Sequence, residues 1–280
     1  MRKNHIVYKI LILKAVHTLW VLMILTFILL SCTSEINHQH MNGAKDKPIV
    51  KQVFLIGDGA YTKQSIDELI KKSGIRRQGF VVIVPTSFLP NDEKARALQN
   101  EFYNRLVRAV HILNLDPKSN IENTDILAIE NASVLCFIGG KRSEFMNLAN
   151  HTTLKTAILN AYEKGALIVG FGDASTLLPN QYLNFNADTI RHSQTIIFSP
   201  GLGLIGKVVV ENRVNFKNDE AEIQNEVEKQ QCIVFGLDDQ ACVWISDSNA
   251  IVMGEKEVRM ISPGNPPAIL QKGQKIKLPF

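Results

Sequence analysis

Gly201-Leu202-Gly203-Leu204-Ile205-Gly206 has the glycine spacing with which a dinucleotide-binding loop cradles pyrophosphate. That chemistry needs a helix to start at the loop, because the free N–H groups and dipole of its first turn hold the phosphates. Lys207-Val208-Val209-Val210 follows instead, β-branched and strand-like. A loop between two strands is therefore predicted, and no nucleotide. The other reactive side chains are scattered. Cys136 lies in an apolar run and reads as an inert core thiol. Cys232 and Cys242 flank Gly236-Leu237-Asp238-Asp239, a predicted turn across which they could pair as a disulfide. His38 and His40 fall in a polar stretch, and His111, His151 and His192 stand far apart in the chain. No spacing resembles a zinc site, and no cofactor is expected.

The elements that must position any site alternate between two periods. Val53-Phe54-Leu55-Ile56, closed by Gly57-Asp58-Gly59, and Phe80 to Val84, stopped by Pro85, are uninterrupted apolar runs. So are Val134 to Ile138, ending at Gly139-Gly140, and Ala166 to Val169, followed at once by Gly170-Phe171-Gly172-Asp173-Ala174-Ser175. Runs of this kind suit parallel strands buried on both faces. Between them, Ser65 to Lys72 and Leu154 to Lys164 have helical spacing, the latter closed by Gly165. Asp92 begins a longer predicted helix with Leu98, Phe102, Leu106, Val110 and Leu113 on one stripe. After residue 194 the pattern becomes strands and turns. The expectation is one α/β domain over residues 49–280, a mostly parallel sheet with helices on both faces and a β-rich C-terminal part.

The first 31 residues read differently. Arg2, Lys3, Lys9 and Lys14 precede or interrupt a run that is almost wholly apolar from Ala15 to Leu30, with no acidic residue. A basic start followed by an apolar core has the form of a secretory signal. Leu29-Leu30-Ser31-Cys32 resembles the bacterial lipoprotein box, in which the cysteine is acylated and becomes the new N-terminus. Residues 32–48 then read as a polar tether. The resemblance implies an envelope protein held to a membrane by lipid on Cys32. Thr33 and Ser34, in place of an aspartate that would retain it at the inner membrane, point to the outer one. A plain apolar anchor is the alternative. Those four cations equal the whole formal charge of +4, so the remaining chain is neutral and offers no basic stripe for nucleic acid.

Val82 to Thr86, Phe137-Ile138-Gly139-Gly140, Thr153 to Gly170, Gly201 to Leu204, Gly236 to Asp239 and Leu270 to Leu278 carry a further resemblance. In this order they are similar to the cyanophycinase and aspartyl dipeptidase family of serine peptidases, whose fold is like that of class I glutamine amidotransferases. The likeness runs from Val53 to Leu278. It implies a peptidase whose nucleophilic serine sits in Gly-Thr-Ser-Ala-Gly-Ala, a tight strand-to-helix turn.

Laid over that motif, the present chain has Gly172 at the serine and Asp173 at the residue whose N–H would face the oxyanion. The family's histidine falls on Arg213, which cannot serve as a general base near neutral pH. Asp239 is left at the acid position, and Lys141-Arg142 replaces the Asp-Gln after the double glycine. Two of three catalytic positions are thus lost. Ser175, three residues beyond Gly172, is the fallback nucleophile, although Asp173-Ala174-Ser175 also reads as a helix start. The resemblance then implies a non-catalytic relative whose old cleft, lined by Gly139, Gly140, Lys141, Arg142, Asp173 and Arg213, takes an anion or an acidic peptide. The alternative is an active exopeptidase on Asp-containing peptides that uses Ser175. In a blander reading the cations are solvated or paired with Asp173 and Asp239. Nothing in the sequence fixes the oligomeric state.

Overall fold

Gln52–Ile56 (β1), Val81–Pro85 (β2), Val110–Ile112 (β3), Val134–Ile138 (β4) and Leu167–Phe171 (β5) run parallel, in the order β1-β5-β4-β2-β3. The computed structural model describes residues 49–279 except 60–61, 76–78, 119, 189–192 and 213–218. Every residue of β2, β4 and β5 is buried. Alternation then divides each strand between two cores. Val53, Leu55, Val82, Val84, Leu135, Phe137 and Ile168 face one side, and Phe54, Ile56, Val81, Ile83, Val134, Cys136 and Val169 the other.

Helices cover both faces. Lys63–Ser73 (α1) and Glu93–Asn104 (α2) bury Ile66, Leu69, Leu98 and Phe102 in the second core. Asn123–Glu130 (α3), Arg142–His151 (α4) and Leu154–Glu163 (α5) close the first with Ile129, Phe145, Ala157 and Ile158. Thr62 caps α1 by accepting from Ser65 N (3.1 Å), and Asp92 caps α2 by accepting from Ala95 N (3.0 Å). Gly74 (φ +65°) ends α1.

The chain then forms a hairpin, Gln181–Asp188 (β6) with Ser193–Pro200 (β7). Val208–Glu211 (β8) and Ile233–Leu237 (β9) pair in a second sheet, separated in sequence by Glu220–Gln230 (α6). Cys242–Ser246 (β10) and Asn249–Val252 (β11) return to the first sheet beside β1, antiparallel. Val258–Ile261 (β12) and Ala268–Leu270 (β13) complete the second, and Lys275–Lys277 (β14) edges the first.

Three expectations need correction. The stripe through Leu113 does not form one helix. After Asn104, Leu106 is left-handed (φ +66°) and 74% exposed, and Val110 to Ile112 take the sheet edge beside β2. β-branched Val110 and Ile112 gain a ladder there that a helix would deny them. The C-terminal part is not strands and turns alone, since α6 covers the second sheet with Ile223 and Val227. Cys232 and Cys242 do not face one another across a hairpin. Cys232 abuts β9 and Cys242 opens β10, strands of different sheets, and both are free thiols in different cores.

Candidate active site

A cleft of about 480 Å³ opens at the carboxyl ends of the parallel strands, where open α/β sheets hold their ligands. β1 delivers Asp58 and Gly59 to it, β4 delivers Gly139 and Gly140, and β5 delivers Gly172 and Asp173; α2 adds Lys94, Ala97 and Glu101. The strands end in glycines because the turns are crowded. A Cβ on Gly57 would lie 2.0 Å from Asp238 O, and one on Gly139 (φ +121°) 2.8 Å from both Ser87 N and Thr86 Oγ1.

The turn after β5 is a nucleophile elbow without its nucleophile. Gly172 is left-handed (φ +57°), and residues Gly172–Leu177 follow as a 3-10 helix. Gly170 is obligatory, since a Cβ there would meet Ser175 Cα at 2.3 Å; Ala174 is fully buried. Small residues two before and two after the apex are the requirement of such a turn. A Cβ at the apex would point at Asp58, 2.9 Å from its Oδ1. The Asp58 carboxylate thus lies where a nucleophile's side chain would reach.

Ser175 does not substitute. It is fully buried, its hydroxyl donates to Gly172 O (2.7 Å) and accepts from Asn212 Nδ2 (2.7 Å). Asn212 Nδ2 also donates to Gly172 O. The serine pins the elbow from behind and does not reach the cleft. Its neighbours give the expected helix start a different form: the Thr176 hydroxyl bonds Asp173 O, not a free N–H. No sequence signal points to Asn212, because its role depends on β8 ending against the elbow.

The basic lining expected from Lys141 and Arg142 is not found. Lys141 pairs with Glu144 (3.2 Å), and Arg142 lies over the Tyr182 ring (5.7 Å) with Nη1 3.5 Å from Leu183 O. Lys141 is the N-cap of helix α4 and pairs along it, and Arg142, the helix's first residue, reaches the β6 strand. Gly139, Gly140 and Asp173 do line the cleft. Asp173 packs against Gly140, and Asp239 against Gly59, where a Cβ would meet its Oδ2 at 2.8 Å. Neither cation is paired with Asp173 or Asp239. Arg213 and Cys32 lie outside the described residues, as does His192. His111 is on the edge strand, 3.5 Å from Asp125 Oδ1, and His151 ends α4; among the described residues no histidine lines the cleft.

The charge of the cleft follows. Glu101 is engaged by Arg105, which also pairs with Asp67 (2.6 Å). Burial opposes the charged guanidinium, but its hydrogen bonds to both carboxylates hold its pKa above the ordinary arginine value. Asp58 and Asp173 therefore outnumber Lys94, and the described lining is anionic. Burial likewise pushes the thiol of Cys136, in β4, far above the usual range, which removes it as a nucleophile. Among the described residues no group of three metal-binding side chains occurs.

Residues 53–253 match peptidase family S51. The chain belongs to that family. The S51 assignment agrees with the resemblance drawn from the motifs, and the protein is peptidase-like. The fold is shared with a peptidase from an acI-B1 actinobacterium, at 18% identity, a TM-score of 0.63, and coverage of 82% of this chain and 97% of the other. It is also shared with a structure from Listeria monocytogenes EGD-e named for peptidase E, at 13% identity, a TM-score of 0.52, and 73% and 98% coverage. No curated protein matches the sequence.

Proposed function

We propose that this S51 member is a non-catalytic binding protein, held to the bacterial envelope by lipid on Cys32. One observation carries the first half: the elbow keeps its left-handed apex while the apex residue, Gly172, has no side chain. A serine peptidase needs a hydroxyl there and a base within hydrogen-bond reach of it. The nearest serine, Ser175, is sealed beneath the turn by Asn212, which argues against the relocated-nucleophile alternative. The lipid-anchor half rests on Leu29-Leu30-Ser31-Cys32 and on the basic, apolar segment before it.

An anionic ligand does not suit the cleft. Asp58 and Asp173 face a space large enough for a dipeptide-sized molecule, with Lys94 of α2 also in its lining. That arrangement favours a ligand bearing an ammonium or guanidinium group, with a carboxylate that Lys94 can meet.

Incubation of the full-length protein with a fluorophosphonate, beside an active serine peptidase, tests the loss of catalysis. No adduct is expected, and an adduct on any serine overturns it. Calorimetric titration with Lys-Ala and Asp-Ala dipeptides tests the ligand class. Lys-Ala should bind and the Asp58→Asn/Asp173→Asn variant should not; preference for Asp-Ala would reverse the assignment. Feeding cells an alkyne-bearing palmitate should label the wild type and leave Cys32→Ala unlabelled.

A further inference from the structure

The two ends of β1 differ in a way that orients the molecule. Past its far end Asp58 and Gly59 line the cleft; at its near end Ile49, Val50 and Lys51 bring the chain into the body. Five residues of strand separate the two, about 16 Å. Register extends the near end across the sheet, because Gln52 aligns with Ser246, Ser246 with Asn249, and Asn249 with Lys277.

Side chains of one kind collect there. Seven large apolar side chains are exposed among the described residues, and four of them lie at the tether end. Ile49 (60%) and Val50 (39%) precede β1, Leu106 (74%) precedes β3, and Leu127 (58%) lies in the last turn of α3, which leads back to the start of β4. Ile49 packs on the α5–β5 turn, within 3.1 Å of where a Cβ on Gly165 would stand. Arg108, Lys164 and Lys277 share this end, exposed and without a carboxylate partner among the described residues; Lys164 reaches only Glu130 O (3.4 Å). The acidic groups there are Glu130, Glu163 and Asp247, of which Glu163 is taken by Lys51 (2.6 Å). The opposite end carries Asp58, Asp173, Asp238 and Asp239, with no cation paired to them among the described residues.

We propose that the tether end of the body, through Ile49, Val50, Leu106, Leu127, Arg108, Lys164 and Lys277, docks on a bilayer leaflet bearing anionic headgroups, so that the cleft faces away from the membrane. Scattered apolar side chains interleaved with unpaired cations are the composition of an interfacial surface. The chain outside the body favours the same occupant. The chain from Cys32 to Ile49 can span at most about 60 Å even when fully extended, so the leaflet is always within reach of this end. Carboxylates ringing the cleft are repelled by the same headgroups, which fixes the sense of the orientation.

This inference rests on the membrane-anchor reading but not on acylation, since the apolar run Ala15–Leu30 also holds the full chain to vesicles. The test uses the full-length protein with an environment-sensitive thiol probe at Leu127→Cys or, at the cleft end, Leu89→Cys. Each is reconstituted in vesicles of phosphatidylethanolamine and phosphatidylglycerol (about 3:1) or of phosphatidylcholine alone. The expected result is a blue shift and several-fold stronger quenching by brominated lipid for the probe at 127, in the anionic vesicles only, with the probe at 89 unchanged. An Arg108→Glu/Lys164→Glu/Lys277→Glu variant should abolish the shift. Water-like emission from both probes, or a shift at 89 in place of 127, overturns the orientation. A shift at 127 that survives the triple variant overturns the headgroup chemistry. Failure of the anchor reading appears separately, as protein that does not float with vesicles.

Discussion

The elbow at Gly170–Ser175 and the loop at Gly201–Gly206 are built alike and behave differently. Each has a glycine at which a Cβ would strike backbone, Gly170 at 2.3 Å from Ser175 Cα and Gly201 at 2.2 Å from Pro179 O. Each has a left-handed glycine two residues later, Gly172 at φ +57° and Gly203 at φ +90°. The loop spends its N–H groups inward: Leu202 N bonds Leu177 O (2.8 Å), Gly203 N bonds Pro179 O (3.1 Å) and Leu204 N bonds Leu178 O (3.0 Å). Those donors are not open to a phosphate. The elbow turns its apex to the cleft, where it lacks the nucleophile's side chain and, among the described residues, a histidine beside it. A glycine pattern thus reports a backbone constraint; what the site can do depends on where its N–H groups and side chains point.

The largest expected effect tests the shared constraint. Gly201→Val drives its side chain into two carbonyl oxygens, and should cost about 3 kcal/mol, lowering Tm by roughly 6–12 °C for a body of this size. Urea denaturation measures it, and a loss under 1 kcal/mol would mean the loop does not brace the elbow. Next comes Asn212→Leu, which strips Ser175 Oγ and Gly172 O of their shared donor and should cost about 2 kcal/mol. Labelling by fluorophosphonate should remain absent in that variant, since the serine stays buried.

Gly172→Ser restores the apex hydroxyl at a smaller cost, about 1 kcal/mol for a left-handed residue with a Cβ, provided the exposed Asp58 side chain swings aside. Peptide hydrolysis should not appear, because among the described residues no histidine lines the cleft; turnover by this variant would mean that a base lies outside them. The smallest effect is at the loop's expense. Calorimetric titration with NAD should give no heat of binding, and Gly203→Ala should leave that result unchanged.

Much of the fold was legible because its strands are short, apolar on both faces and closed by glycine. β1, β2, β4 and β5 fall within a residue or two of the sequence reading, and Gly201–Gly206 is the predicted inter-strand loop. Reading failed where pairing partners lie far off in the chain. Nothing near Val110 signals that β2 offers a free edge, and nothing near Cys232 signals that β9 and β10 part into different sheets. At the site, the motif located Gly172 and Asp173 correctly in the cleft. It misjudged Lys141 and Arg142, because residues adjacent in sequence to a lining glycine already belong to the next helix, whose first turn carries them off.

Which backbone turns are possible is written in the chain itself: the glycines of Gly170-Phe171-Gly172 admit an elbow, and the absence of a side chain at its apex is a covalent fact that no folding can amend. The chemistry around it comes from long-range packing. Whether Ser175 is reachable, whether the cleft is basic or acidic, and which end of the sheet meets the tether all depend on contacts between segments tens to hundreds of residues apart, such as Asn212 with Ser175 and Asn249 with Lys277. Local sequence sets dihedral angles, whereas burial and charge are properties of neighbours, and neighbours exist only once the sheet is assembled.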